Sequence, residues 1–146
     1  MTNPPKARGT RTETMLVRLF TAYGVPAERR ALKGAADEGD LWLHGGRIVV
    51  EAKHRKKSPS PEQVRRWMAE TQAEAGRVPQ CELAALIVNR PGYGVAGMAE
   101  WDAWLRIDDA VWLMGGVDAH KGRPDLIRLS LGTFALLAAD LKAGAR

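Results

Sequence analysis

The sequence predicts an α/β fold, a mixed central β-sheet of about four or five strands flanked by helices. Three stretches carry that expectation. Gly39 to Lys53 reads as a hairpin: Leu41 to His44 alternate with a strand period, Gly45-Gly46 is a two-residue turn, and Arg47 to Ala52 is β-branched at its centre. Leu83 to Val88 is a continuous apolar run of strand length, suited to a strand covered on both faces. Between them, Ser60-Pro61 opens a helix and Gly76 closes it.

Taken in order, residues 1–9 read as a flexible basic lead-in with two prolines, Lys6 and Arg8. Thr10-Arg11-Thr12-Glu13 has a capping-box pattern, which predicts a helix from Thr10 to Tyr23, stopped by Gly24 and Pro26. Glu13 then has two readings. It can cap the backbone of Thr10, or it can share the inward face with Leu16, Val17 and Phe20, where a buried carboxylate needs a partner. Ala27 to Leu32 is a short strand candidate, and Lys33 to Gly39 a charged, glycine-bearing loop. Arg29, Arg30 and Lys33 either hold phosphates or solubilise a sheet edge.

The hairpin follows, and its far end carries Lys53, His54, Arg55, Lys56 and Lys57. The helix Pro61–Ala75 shows Val64, Trp67, Met68 and Thr71 at helical spacing, with Arg65 and Arg66 turned away. Gln63 completes a capping box behind Ser60. Beyond the loop from Asn89 to Gly94, Trp101 to Ile107 predicts a strand and Asp108 to Met114 a helical turn or two. Asp125 to Ser130 predicts a last strand and Leu131 to Ala143 a terminal helix. Trp101, Trp104 and Trp112 read as core, His44 and His54 as surface, and Cys81 as a small structural residue.

Length and composition bound the rest. At 146 residues, 45% hydrophobic and 27% charged, the chain is one ordinary domain, with a core from residue 10 to 90 and an extension from 91 to 146. No apolar run approaches the roughly 20 residues that span a membrane, and the start lacks a signal-peptide core. A single cysteine excludes an internal disulfide and suits a cytoplasmic setting. The net charge of +5 is uneven: residues 1–80 hold 15 Lys/Arg against 9 Asp/Glu, and residues 81–146 hold 7 against 8. Basic excess on the half with the hairpin points to a polyanionic partner.

The hairpin register supplies the chemistry. With Gly45-Gly46 at the turn, His44 faces Arg47 and Asp40 lands opposite Glu51, with Lys53 on the same face. Two carboxylates about 4 Å apart repel by roughly 4 kcal/mol at an effective dielectric of about 20. A hard divalent cation removes that cost, and the Lys53 ammonium can stabilise developing negative charge. A lone Glu-Ala-Lys would mean nothing. The order of acid, turn, hydrophobic strand, acid and lysine in one register is what carries weight.

In that order the chain resembles the PD-(D/E)xK nuclease superfamily, and within it the small Holliday junction resolvases of archaeal type and their phage-borne relatives. Arg8-Gly9, Glu13, Glu28-Arg29 through Gly34, Asp37-Glu38-Gly39-Asp40 and Glu51-Ala52-Lys53 carry the likeness, which covers roughly residues 8 to 90. The loop before the aspartate lacks the serine often found there. The resemblance implies a single-domain restriction-endonuclease-like fold. It also implies Mg²⁺ or Mn²⁺ held by Glu13, Asp40, Glu51 and the carbonyl of Ala52, with Lys53 assisting hydrolysis. Gln63 resembles a polar residue that some members place over the metal.

The function expected is therefore a metal-dependent endonuclease on branched DNA. A non-catalytic DNA-binding module on the same fold and a nuclease acting on linear duplex are the alternatives. Arg8, Arg11, Arg29, Arg30, Lys33, Arg55, Lys56 and Lys57 are the expected DNA contacts. Two symmetric cuts need two sites, so a homodimer is expected, built through the C-terminal third around Trp101, Trp104 or Trp112.

Overall fold

The structure is a computed structural model of the chain, and it describes residues 5–30, 37–116 and 125–141, with side chains from Gly9 onward. Its elements run α1 (Pro5–Ala22), β1 (Ala27–Arg29), β2 (Leu41–Leu43), β3 (Ile48–Lys53), α2 (Pro61–Ala75), β4 (Leu83–Val88), β5 (Asp102–Arg106), α3 (Ile107–Leu113), β6 (Leu126–Ser130) and α4 (Leu131–Ala139). The strands form one six-stranded sheet in chain order. Every neighbouring pair is antiparallel except β3 and β4, which are parallel because α2 crosses over between them.

The sheet has one core on each face. Leu16 and Phe20 of α1 and Leu131, Phe134, Ala135 and Ala138 of α4 cover Leu41, Leu43, Ile48, Val50, Ala85 and Ile87. Phe20 meets Phe134 edge-on at 6.0 Å between ring centroids. On the opposite face Val64, Trp67, Met68 and Ala75 of α2 cover Val49, Ala84, Leu86 and Val88. Burial on both faces is why β4 reads as an unbroken apolar run.

The hairpin has the predicted register. Leu43 pairs with Ile48, Trp42 with Val49 and Leu41 with Val50, so one step further places Asp40 beside Glu51. Gly45 (φ 68°) and Gly46 (φ 95°) take the left-handed backbone that this tight turn demands. Gly39 is equally constrained: its φ is +89°, and a Cβ there would lie 2.5 Å from Val49 Cγ1. That close approach seats Asp40 at the head of β2.

Several expectations need correction. The sheet has six strands, more than the four or five expected. Helix α1 starts at Pro5, so residues 5–9 belong to it and are no lead-in. Thr10 and Glu13 therefore lie inside the helix, where Glu13 cannot cap an N-terminus; proline near a first turn marks the true start. The last helix ends at Ala139, with Asp140 as its C-cap; Lys142 and Ala143 lie outside the described residues. Trp101 is 2% exposed and donates its indole N–H to the Tyr93 carbonyl at 2.8 Å, so it is core and not a face for a second subunit. Trp104 and Trp112 are half-buried against the two cores. His44 is no free surface residue: its Nε2 bonds the Ala138 carbonyl at 2.8 Å, tying the hairpin to α4.

Candidate metal centre

Alternation along β3 sends Ile48 and Val50 toward α1 and α4, and Val49, Glu51 and Lys53 toward α2. Glu51 is thereby pressed against a helix and left only 7% exposed. Facing it from the last turn of α2 is Glu74, 8% exposed. The stripe that buries Val64, Trp67, Met68 and Thr71 reaches residue 74 by the same helical step. Asp37 joins them from the loop ahead of β2, its Oδ1 accepting the Gly39 N–H at 2.9 Å in a tight local turn. One carboxylate oxygen from each of Asp37, Glu51 and Glu74 lies within 4.8 Å of the others.

Electrostatics make this arrangement costly as it stands. Burial pushes the Glu51 carboxyl well above the usual carboxylate range, and the nearby Glu74 and Asp40 push it the same way against Lys53. Burial also raises Glu74, with Asp37 and Asp40 adding to the rise. Asp40 is raised chiefly by burial and held down in part by the Ala52 N–H, which donates to its Oδ2 at 2.9 Å. Glu51 Oε2 and Glu74 Oε2 are both buried without an N–H or hydroxyl donor. An acceptor-only oxygen in that state is expensive unless a proton or a cation meets it. The donor set fits a hard divalent ion, which takes oxygen ligands. Asp37, Glu51 and Glu74 could therefore hold one.

Lys53 completes the cluster. Its Nζ lies 3.6 Å from Glu51 Oε1 and 3.9 Å from Glu70 Oε2, so it engages the Glu51 oxygen opposite the orphaned one. The ring of Trp67 lies beneath it at 5.8 Å, and beneath the guanidinium of Arg55 at 5.2 Å. These contacts hold the ammonium at the edge of the carboxylates instead of releasing it to solvent.

The structure thus brings Asp40, Glu51 and Lys53 together at one end of the sheet, as their register requires. Glu13 reaches the same end from the α1 face. Burial and the charge of Asp40 raise its pKa, while Arg29, 3.3 Å from its Oε1, opposes the rise. Glu13 and Ala52 line a groove of about 420 Å³ whose other wall is His54, Arg55 and Lys56. The buried three-carboxylate cluster shares only Glu51 with the set expected from the sequence. Glu74 and Asp37 were missed, although Glu74 falls on the apolar stripe of α2, where an acid is out of place. Gln63 donates its backbone N–H to Ser60 Oγ at 3.1 Å, at the start of the helix. It is about 16 Å along the helix axis from Glu74, so it cannot sit over that cluster.

The expected DNA contacts divide. Arg55, Lys56 and Lys57 are exposed in succession after β3, and Arg11 is exposed on α1. Arg29 is committed to Glu13, and Arg30 lies 3.8 Å over the Trp42 ring and 3.2 Å from Glu28. Arg8 sits in the first turn of α1, and Lys33 lies outside the described residues. No described helix is long and apolar enough to cross a membrane. The chain matches no protein-family model, no curated protein and no solved structure.

Proposed function

We propose that the chain is a metal-dependent endonuclease of restriction-endonuclease-like fold that hydrolyses DNA phosphodiester bonds, with Mg²⁺ or Mn²⁺ as its cofactor. The observation that carries this reading is Glu51: a carboxylate buried among acids, one oxygen without a donor and the other paired with Lys53. A structural acid has no use for such surroundings, and a protein that only binds DNA gains nothing from carboxylates facing a phosphate.

Glu51, Glu74 and Asp37 would hold the ion, with Asp40 and Glu13 completing the acidic end of the groove. When bound, a divalent ion would supply Lewis-acid activation of water and of the scissile phosphate. The chain's own residues do the rest. Lys53 presents a fixed positive charge where the phosphate gains negative charge in the transition state. Arg55, Lys56 and Lys57 attract the sugar-phosphate backbone without reading its sequence. The buried walls around Glu51 keep bulk water from its carboxyl.

Preference for branched DNA, action as a homodimer and a cytoplasmic setting rest on the sequence alone. Labelled four-way junction, linear duplex and single strand, each with and without Mg²⁺, test the whole reading. Cleavage should need the metal and favour the junction. Glu51→Gln and Asp40→Asn should abolish it with DNA binding kept. Equal cutting of all three DNAs would remove the junction preference, full activity in Glu51→Gln would remove the metal assignment, and full activity in Asp40→Asn would remove Asp40 from the site.

A further inference from the structure

Tyr93 is an exposed aromatic ring with a fixed seat. It is 42% exposed, in the loop that joins β4 to the short helical segment Val95–Glu100. Its backbone is pinned at both polar groups: the N–H donates to the Arg90 carbonyl at 3.1 Å, and the carbonyl accepts the Trp101 indole N–H at 2.8 Å. Gly97 backs the ring, since a Cβ at that position would lie 3.1 Å from Tyr93 Cδ1. The Arg90 guanidinium stands 5.6 Å from the ring centroid.

This loop is joined to the basic segment. The Arg55 N–H donates to Asn89 Oδ1 at 2.6 Å, and Asn89 Nδ2 returns a bond to the Arg55 carbonyl at 2.8 Å. Asn89 is 7% exposed, so these bonds are shielded from water. His54 packs edge-on against Trp101 at 5.5 Å, which links the groove wall to the same indole that holds Tyr93. The loop that carries Tyr93 and the start of the run Arg55, Lys56, Lys57 are therefore tied together beyond the ends of β3 and β4.

We infer that Tyr93 is a stacking platform for an unpaired nucleobase of the DNA strand whose phosphates the Arg55–Lys57 run attracts. The inference deepens the nuclease reading and rests on it. Charge selects a polyanion for this end of the sheet, and a polyanion that carries flat rings can use an exposed tyrosine there. Bases inside a duplex already stack on one another. The ring is thus of use only where a base has left its partner, at a branch, an end or a single-stranded extension.

Three labelled DNAs test this, with Ca²⁺ replacing Mg²⁺ so that binding is read without cleavage: a blunt duplex, the duplex with a short single-stranded extension, and the same extension made abasic. The abasic extension keeps the phosphates and removes the rings. The protein should bind the base-bearing extension about tenfold more tightly than the abasic one, within the range for one stacked base. Tyr93→Ala should erase that difference and leave blunt-duplex affinity unchanged, and Tyr93→Phe should preserve it. No difference in the intact protein, a difference that survives Tyr93→Ala, or a loss shared equally by blunt duplex would each overturn the inference and leave the nuclease reading standing. Failure to bind any of the three would overturn both.

Discussion

The carboxyls of Glu51 and Glu74, one on a central strand and one on the helix covering it, lie within hydrogen-bonding reach of each other in the interior. Without a cation the pair must hold a proton. With a cation it must release one, so metal binding and proton loss are coupled. Mg²⁺ or Mn²⁺ affinity by calorimetry should rise with pH, because burial holds both carboxyls protonated above the usual carboxylate range and the ion binds only once they release their protons. Glu74→Gln removes a charged donor and should weaken binding about tenfold or more. Affinity unmoved by this substitution would return Glu74 to a purely structural role.

Lys53 separates charge stabilisation from metal holding. An ammonium is no ligand, and here it competes with a cation for Glu51. Lys53→Ala should keep or tighten metal affinity while turnover falls by about 10²–10³-fold, the scale for removing one group that stabilises a transition state. Weakened metal binding in this variant would show that the lysine serves the site's architecture instead.

The exposed run after β3 governs the electrostatic part of binding. Replacing Arg55, Lys56 and Lys57 with alanine should flatten the slope of log affinity against log salt by about 2 to 3, since each neutralised phosphate contributes roughly 0.9. An unchanged slope would place the DNA on another surface. Arg29 and Arg30, already engaged with Glu13, Glu28 and Trp42, should contribute far less to that slope.

Asp109, in the first turn of α3, tests the fold independently of the site. Burial pushes its carboxyl up to about 6. A raised carboxyl favours folding while it is neutral, so this stability is complete below the unfolded value and is lost as pH rises through about 6. Asp109→Asn should flatten the fall in Tm between about pH 4 and pH 7, and raise Tm at neutral pH by a few degrees. A variant that follows the parent's Tm across that range would contradict the shift.

Much of this was legible in the residues. The Gly45-Gly46 turn sets the hairpin register, because a two-residue turn leaves one pairing, and that pairing puts Asp40 beside Glu51. Helix α2 begins and ends where Ser60, Pro61 and Gly76 say it must. The failures share a cause. Thr10-Arg11-Thr12-Glu13 has the same local pattern inside a helix as at its start, and only the fold says which. Glu74 stood on the buried stripe in plain view, but its neighbours come from another strand and a loop, and that pairing is a property of packing. The tryptophans after Cys81 suggested an interface by composition, yet Trp101 is spent inside the domain.

Asp37, Asp40, Glu51 and Glu74 all lie between residues 37 and 74, on the loop that leads into β2, on β3 and on α2. Among the described residues, nothing after α2 contributes a carboxylate to the cluster. During synthesis, which proceeds from the N-terminus, the full set of acids therefore leaves the ribosome before β4 does. A cation captured at that stage would clasp the hairpin to the helix while half of the sheet is still unmade.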